Sequence, residues 1–281
     1  LVWSMFPRHP TQLYFFMTRV QASNTLHPTV DLKSYFLQCS YVDDKRTIRA
    51  ITFSGKEITY QSWNGLEDPE KLENDRTYNT AGEYTDENGN IQFYENEVDN
   101  YQQDHYQLHW NERHNNYWST NVAFNYTKGQ GYFEQYMEDQ DFVDYGLENV
   151  VIGGETISST DLVRRRWLDN NFYVVNANVN FTKNRVNAIA GGSYNFYDGD
   201  HFGEIIWAQY ASNSMNTDKY YEGNGKKNDL TFFGKADYSL SEKINLFAYI
   251  LIQELKLKTY VLSIFCFPFR IAVTTMDKFI T

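Results

Sequence analysis

The sequence predicts an all-β fold: an antiparallel transmembrane β-barrel fragment, built as a meander of hairpins. Three observations indicate this fold. Apolar and polar residues alternate over three long stretches, short turns alternate with long polar connections, and aromatic residues gather near the ends of the alternating stretches. Successive side chains of a strand point to opposite faces, so each stretch predicts strands with one apolar and one polar face.

The first predicted hairpin lies between residues 101 and 127. Its first strand alternates apolar with polar side chains, namely Tyr106, Leu108 and Trp110 with His105, Gln107 and His109. A short turn at 112–116 follows. The second strand alternates in the same way, with Val122, Phe124 and Tyr126 against Asn121, Asn125 and Thr127.

The second predicted hairpin, between 171 and 196, shows the strictest alternation. Asn176, Asn178 and Asn180 occupy every second position of one strand. The residues between them are apolar, namely Val175, Ala177, Val179 and Phe181. Water satisfies the amides if their face lines a lumen, whereas facing lipid they would cost several kcal/mol each. A tight turn at 183–185 leads into the return strand.

The third predicted hairpin lies between 229 and 250, with a short turn at 241–243. Its apolar face carries Leu230, Phe232, Ala236, Tyr238 and Leu240, and then Ile244, Leu246, Ala248 and Ile250. The opposite face of its first strand carries Asp229, Thr231, Lys235, Asp237 and Ser239. The three hairpins therefore share one design.

The connections distinguish a membrane barrel from a soluble domain. Short turns at 112–116, 183–185 and 241–243 alternate with long polar loops, predicted at about 55–100, 128–171 and 198–228. A compact soluble domain rarely carries several loops of that length. Transmembrane β-barrels combine short periplasmic turns with long extracellular loops.

A soluble β-sandwich with one wetted face also alternates, and it is the main alternative. Aromatic residues near the strand ends favour the barrel, because such residues concentrate at membrane interfaces. These residues are Trp110, Tyr117, Trp118, Phe172, Tyr173, Phe196 and Tyr197.

Composition excludes some functions. The formal net charge is −11 at pH 7, whereas a nucleic-acid surface needs clustered Lys and Arg, so we predict no nucleic-acid partner. Cys39 and Cys266 are too far apart to indicate a zinc site or a disulfide framework. The longest apolar tract, 260–273, contains Pro and Arg and is shorter than the ~20 residues of a membrane helix.

Four segments resemble the TonB-dependent outer-membrane receptors of the bacteroidete type. They are GKEITYQSWNG (55–65), DLVRRRWLDNNFY (161–173), GGSYNFYDGDHFGEIIW (191–207) and YYEGNGKKNDLTFFGKADY (220–238). The resemblance implies a barrel of about 22 strands, plugged by a globular domain, in the cell outer membrane. Such receptors import iron complexes, cobalamin or glycans with energy relayed by the TonB system. Expected partners are thus outer-membrane lipid, TonB through a plug domain missing here, and a small-molecule or oligosaccharide ligand.

The resemblance divides the chain into three parts. Residues 47–252 are expected to form a partial barrel of six or seven strands. Residues 1–46 and 253–281 show neither alternation nor matching segments, and we expect an atypical N-terminal segment and an atypical C-terminal tail. A truncated or frame-shifted reading of a longer gene would explain both ends, and a divergent capping region is the alternative.

Candidate ligand-binding residues lie in the predicted loops. Aromatic side chains offer stacking surfaces with polar tips, and arginines clamp carboxylate or phosphate groups. The candidates are Trp63, Tyr132, Tyr136, Arg164, Arg165, Arg166, Asp200, His201, Trp207, Tyr220 and Tyr221. For the arginines, ion pairs with the neighbouring Asp161 and Asp169 are the alternative.

No catalytic residue, metal ligand or cofactor is predicted. Asp200 and His201 resemble a catalytic pair, but no Ser or Cys nucleophile lies in a recognisable motif, so we predict that the chain is not an enzyme. Energised import is the favoured function. A passive porin-like channel and a soluble β-sandwich binding module remain as alternatives.

Overall fold

A computed structural model describes residues 3–5, 11–23, 29–213, 215, 217–241, 244–262 and 274–276. Within these residues lie fifteen strands and one short helix, α1 (Pro69–Asn74). The strands are β1 (Trp3–Met5), β2 (Thr11–Ser23), β3 (Thr29–Val42), β4 (Arg46–Tyr60), β5 (Glu83–Thr85), β6 (Ile91–Phe93), β7 (Val98–Arg113), β8 (Trp118–Asp141), β9 (Val150–Ile152), β10 (Glu155–Ile157), β11 (Ser159–Lys183), β12 (Val186–Ala208), β13 (Lys219–Ser241), β14 (Ile244–Leu262) and β15 (Thr274–Met276). A single 3-10 turn spans Phe142–Tyr145.

Eleven of the described strands form one sheet, in the order β1-β2-β3-β4-β7-β8-β11-β12-β13-β14-β15. Each neighbouring pair is antiparallel, so the sheet is a meander of hairpins. The other four strands form two small hairpins, β5-β6 and β9-β10, within the long connections. The predicted all-β antiparallel fold is confirmed.

The three predicted hairpins are β7-β8, β11-β12 and β13-β14. In β11-β12 Lys183 pairs with Val186, and only Asn184 and Arg185 form the turn. Asn184 has a φ of 53°, in the left-handed region that asparagine tolerates better than most residues. Of the predicted turn at 241–243, residues 242 and 243 lie outside the described residues, as does most of the tract 260–273.

The register gives the sheet one apolar and one polar face in its middle section, as predicted. The apolar face of β11 carries Val175, Val179 and Phe181, and residues on neighbouring strands continue it in register. On the polar face Asn178 pairs with Asn121, whose amide nitrogen donates to the Asn178 side-chain oxygen at 2.8 Å. We use the names apolar face and polar face for the whole of each side, including its extension beyond this section.

A row of stacked rings, which we call the ring row, borders the apolar section on the side of the long connections. Ring centroids lie 5.9 Å apart for Tyr106 and Tyr126, 4.8 Å for Tyr126 and Tyr173, and 6.1 Å for Tyr173 and Phe196. At the other border Trp118 packs on Phe181 at 4.7 Å. Residues 173–181 span about 26 Å along the strand, or about 20 Å of membrane depth at a ~40° tilt. This depth is most of the ~25 Å apolar band of a transmembrane β-barrel.

Large apolar side chains of this section are exposed. Phe124 is 49% exposed and Phe232 is 52% exposed, although both lie inside long, paired strands. The other described sheets are only the two-stranded hairpins β5-β6 and β9-β10 in the long connections, so no second large sheet is present in the described part of the chain. A β-sandwich requires two packed sheets, so the soluble-sandwich alternative does not fit the fold.

The sheet extends further than the alternation predicted, and the predicted loop boundaries are wrong. The long connections span only 61–97, 142–158 and 209–218. β8, for example, continues beyond the ring row from residue 127 to Asp141, about 50 Å further. Polar and aromatic residues occupy both faces of this part of the strand, so its sequence does not alternate. The backbone nevertheless stays paired with β11.

The sheet also crosses the expected boundary at residue 46. β2 and β3, both within the predicted atypical segment, pair with each other and with β4. Phe15 and Leu37 continue the row of Tyr106 on the apolar face. With these strands the sheet is larger than the six or seven strands expected. The division of the chain into three parts stays a prediction.

Candidate functional site

The structure places most of the predicted site residues on strands rather than in loops. Only Trp63 lies in a connection. The others lie on β8, β11, β12 and β13, beyond the ring row and towards the long connections. They are Tyr132, Tyr136, Arg164, Arg165, Arg166, Asp200, His201, Trp207, Tyr220 and Tyr221. Their assignment to loops is therefore corrected, and strand alternation divides them between the two faces.

The polar face carries a cluster of two arginines and three tyrosines, which we call the arginine–tyrosine cluster: Arg164, Arg166, Tyr145, Tyr220 and Tyr221. Arg164 Nη1 donates to the Tyr145 hydroxyl at 2.8 Å, and Arg166 Nε donates to the Tyr221 hydroxyl at 3.3 Å. The Tyr220 ring lies 4.7 Å from Tyr145 and 5.0 Å from Tyr221. The 3-10 turn places Tyr145 over this end of the sheet.

The two arginines of the cluster have no carboxylate partner among the described residues. The predicted pairing with Asp161 and Asp169 is not formed. Asp161 accepts hydrogen bonds from the Tyr136 hydroxyl and the Asp139 amide, and Asp169 pairs with Lys128. Arg164 instead donates to the amide oxygen of Gln135 at 2.9 Å. The cluster therefore contains two positive charges that form no ion pair within the described residues.

Burial keeps the phenols of Tyr145 and Tyr220 neutral. It raises the pKa of Tyr220 to about 12 and also raises the pKa of Tyr145, against the opposing effect of Arg164. The Tyr220 hydroxyl is buried and has no hydrogen-bond partner among the described residues. A cationic site with neutral phenols and one unsatisfied hydroxyl can bind an anionic ligand that also accepts hydrogen bonds.

Arg165 lies on the opposite, apolar face and has a structural role. Its Nε donates to Glu134 at 2.7 Å, and its guanidinium lies 4.4 Å from the centre of the Tyr132 ring. Glu134 is only 1% exposed and also accepts from the Tyr94 hydroxyl at 2.6 Å and from the Asn96 amide at 2.5 Å. This network fastens the connection 61–97 to the sheet.

Tyr136 and Trp207 belong to the same packing. Their rings lie 6.3 Å apart, and Tyr84 and Tyr94 of the connection pack on Tyr136 at 4.6 and 5.9 Å. These contacts show aromatic residues that hold a connection in place. Trp63, 54% exposed, meets Phe133 edge-on at 5.5 Å.

Asp200 and His201 do not form a pair. As neighbours on β12 they point to opposite faces of the sheet. Asp200 accepts a hydrogen bond from the Asn224 amide at 2.7 Å. No group of His, Cys, Asp or Glu that could hold a metal ion is present in the part of the chain that the structure describes.

Sequence reasoning missed two buried residues that bracket the longest connection. Gln61, 2% exposed, donates through its amide to the carbonyl oxygens of Val98 and Glu134, at 3.1 and 2.8 Å. Glu97, 4% exposed, accepts from the Tyr136 amide at 2.9 Å. Burial raises the pKa of Glu97 to about 7. Glu97 is one of many acidic residues in this connection, and only its position directly before β7 distinguishes it in the sequence.

Solved structures with a similar fold are import receptors. The ferric-catecholate import receptor Fiu of Escherichia coli K12 matches in its open form with a TM-score of 0.63 and 8% identity, over 100% of this chain and 45% of the receptor. No protein-family model matches the chain, and no curated protein matches it. Among the described helices, none is both long and apolar enough to cross a membrane.

Two further structures agree. The closed form of Fiu gives a TM-score of 0.60 at 8% identity, over 92% of this chain and 39% of the receptor. BauA, the ferric preacinetobactin receptor of Acinetobacter baumannii, gives 0.50 at 4% identity, over 89% of this chain and 40% of the receptor. The chain thus spans less than half the length of these receptors. At such low identity the likeness shows the fold alone: an antiparallel meander sheet similar to part of these import receptors.

Proposed function

We propose that the chain forms part of the barrel of an outer-membrane receptor that imports a large nutrient with energy relayed by TonB. The arginine–tyrosine cluster on the polar face is the observation that carries the proposal. In a barrel with a polar lumen, this cluster faces the path of a ligand, at the end where the long connections lie. Binding and transport, rather than catalysis, are its role.

An anionic ligand fits the cluster. Arg164 and Arg166 supply two planar donors for carboxylate or phenolate oxygens, and three phenol rings supply stacking surfaces. Of the nutrients that such receptors import, an acidic iron complex therefore fits better than an uncharged glycan or cobalamin. Fiu and BauA bear the names of ferric ligands, which supports this choice. We further propose the bacteroidete-type subgroup, on the four matching segments in the sequence.

TonB dependence separates energised import from passive diffusion. The protein in its full natural length is expressed in a Gram-negative bacterial strain that has lost its own receptors for ferric complexes. We expect growth on an acidic ferric complex as the iron source, and loss of that growth when tonB is deleted. Equal uptake in both backgrounds would support a porin-like channel instead.

Substitution of the cluster tests the binding site. The double variant Arg164→Gln and Arg166→Gln removes two charged hydrogen-bond donors, which should weaken binding of an acidic ferric complex by about tenfold to a hundredfold. Arg76→Gln is the control for loss of an arginine outside the cluster, because Arg76 is exposed and lies in the connection 61–97. Wild-type affinity in the double variant, with normal insertion into the membrane, would remove the cluster from the site.

A further inference from the structure

Three basic residues form a row on the apolar face, beyond the ring row. Arg19 on β2 pairs with Lys33 on β3, and Lys33 pairs with Lys56 on β4. Directly opposed residues of neighbouring strands have Cβ atoms about 4.5–5.5 Å apart. The three side chains therefore lie side by side on one surface, which we call the basic row.

The basic row carries an excess of positive charge. Arg19 and Lys33 share a single carboxylate, that of Asp31, at 3.3 and 3.2 Å. Within the described ranges, no carboxylate lies within ion-pair distance of Lys56. Like charges aligned on adjacent strands repel each other, so this arrangement is unfavourable unless an anion binds. Phosphate bears the charge and the acceptor oxygens that three such donors require.

Two adjoining grooves open on this surface. One, of about 410 Å³, is lined by all three cations together with Met17 and Tyr35. The second, of about 330 Å³, shares Lys56 and Gln102 with the first. The second also contains Lys128, with Tyr132 and Trp167 among its aromatic lining. One carboxylate, Asp104, lines the second groove and accepts from the Gln102 amide at 3.1 Å.

The depth of the basic row matches a lipid headgroup layer. Lys56 lies four residues beyond Thr52, which belongs to the row of Tyr106. Four residues rise about 13 Å, or about 10 Å above the hydrocarbon border at a tilt of ~40°. Headgroups occupy about 5–8 Å on each side of a bilayer, and Lys and Arg side chains reach several Å towards them. Exposed Phe15 and Leu13 continue the apolar surface below, where acyl chains would lie.

We propose that Arg19, Lys33 and Lys56 form a binding site for the phosphate groups of a membrane lipid headgroup in the outer leaflet. This inference rests on the proposed outer-membrane location. The site holds the lipid from outside the barrel, so it is separate from the arginine–tyrosine cluster on the polar face. It also offsets the repulsion within the basic row.

The test uses the protein in its full natural length, reconstituted into phosphatidylcholine vesicles with or without diphosphoryl lipid A. In a separate measurement, the detergent-solubilised protein is titrated with fluorescent diphosphoryl lipid A, which gives the affinity. The same titration with dephosphorylated lipid A shows how much of that affinity depends on the phosphates. We expect the triple variant Arg19→Gln, Lys33→Gln and Lys56→Gln to bind the phosphorylated lipid about tenfold or more weakly. The dephosphorylated lipid should bind weakly to both proteins.

A matched control removes the same charge elsewhere. Lys45→Gln, Lys183→Gln and Lys235→Gln change three cations outside the basic row and should leave lipid capture as in the wild type. Equal capture by the triple variant and the wild type would overturn the proposal, as would equal capture of the phosphorylated and dephosphorylated lipids. Inorganic phosphate that displaces the lipid completely at equal phosphate concentration would also overturn it, by identifying a site for free phosphate.

Flotation with the vesicles distinguishes this inference from the function on which it rests. A protein that floats with both kinds of vesicle but shows no preference for phosphate contradicts the lipid site alone. A protein that enters neither vesicle contradicts the outer-membrane location, and the lipid site with it.

Discussion

At the scale of single residues, buried carboxylates determine how the longest connection is held. Glu134 joins Arg165 of β11 to Tyr94 and Asn96 of the connection, and Glu97 accepts from the backbone of β8. Each contact links residues at least 31 positions apart in the chain. Local patterns in the sequence therefore could not have revealed them.

Glu97 should make the connection 61–97 sensitive to pH. Burial raises its pKa in the folded protein to about 7 from an ordinary value of 4.5, with Arg164 lowering it and Glu134 raising it. A raised pKa means that the stabilisation is full below about pH 4.5 and is lost as the pH rises through about 7. A tenfold change in the proton affinity of a carboxylate corresponds to about 1.4 kcal/mol of stability.

Amide hydrogen exchange, corrected for its intrinsic rate, measures this effect. We expect faster exchange in 61–97 at pH 8 than at pH 6, and Glu97→Gln should abolish the difference, because its amide does not titrate. Glu73→Gln, at an exposed position of the same connection, serves as the control. Equal protection of the wild type at both pH values would contradict the prediction.

Glu134→Ala should release the connection more strongly. The substitution leaves Arg165 without its carboxylate and removes the acceptor of Tyr94 and Asn96, at a cost of about 3 kcal/mol. Limited proteolysis within 61–97 should then occur at a protease concentration that leaves the wild type intact. Glu87→Ala, at an exposed position, should behave as the wild type. Resistance of the Glu134 variant would show that other contacts hold the connection.

At the scale of elements, close backbone approach constrains the β7-β8 pair. Tyr101 pairs with Gly131, and a Cβ at Gly131 would meet the carbonyl oxygen of Asn100 and lie 2.6 Å from the Cα of Tyr101. Both are backbone atoms, so they cannot move aside as a flexible side chain could. Gly55 on β4, by contrast, has nothing within 4 Å of such a Cβ.

Gly131→Ala should therefore destabilise the sheet while Gly55→Ala should not. We expect a loss of about 1–3 kcal/mol for Gly131→Ala and a change of less than about 0.5 kcal/mol for Gly55→Ala. Urea unfolding of the full-length protein in detergent micelles, followed by tryptophan fluorescence, provides the comparison. If both variants unfold at the same urea concentration, the prediction is contradicted.

The alternation of apolar and polar residues predicted the hairpins. Where this alternation stops, the remainder of each strand could not be predicted from the sequence. Between Tyr173 and Phe181 the two faces meet different surroundings, so the residue types alternate. Beyond Tyr173 both faces carry polar and aromatic residues, and the chain resembles a loop although its backbone is fully paired. The sequence signal therefore ends where the difference between the two faces ends, at the ring row.

At the scale of the molecule, the candidate site was predictable only in part. The three consecutive arginines were recognised as a group, but on a strand their alternation directs Arg164 and Arg166 to the polar face and Arg165 to the apolar face. A strand predicted over 161–173 would have separated them. The partners of the group, Tyr145 and Tyr221, depend on folding of the whole sheet.

The purified 281-residue chain should not form a pore. Within the described residues the sheet is open, with β1 at one edge and β15 at the other, and unpaired edge groups in hydrocarbon cost several kcal/mol each. We expect no stepwise conductance in planar bilayers, under conditions in which a porin of known conductance gives discrete steps. Reproducible single-channel steps from the purified chain would refute this expectation.

The ring row also provides an intrinsic spectroscopic signal. Tyr106, Tyr126, Tyr173 and Phe196 belong to four neighbouring strands, so their stacking at 4.8–6.1 Å couples chromophores across three strand pairs. A slip of one residue between β8 and β11 would turn Tyr173 to the opposite face and interrupt the coupling. Such a slip should therefore change the near-ultraviolet circular dichroism of the tyrosines, without any added label.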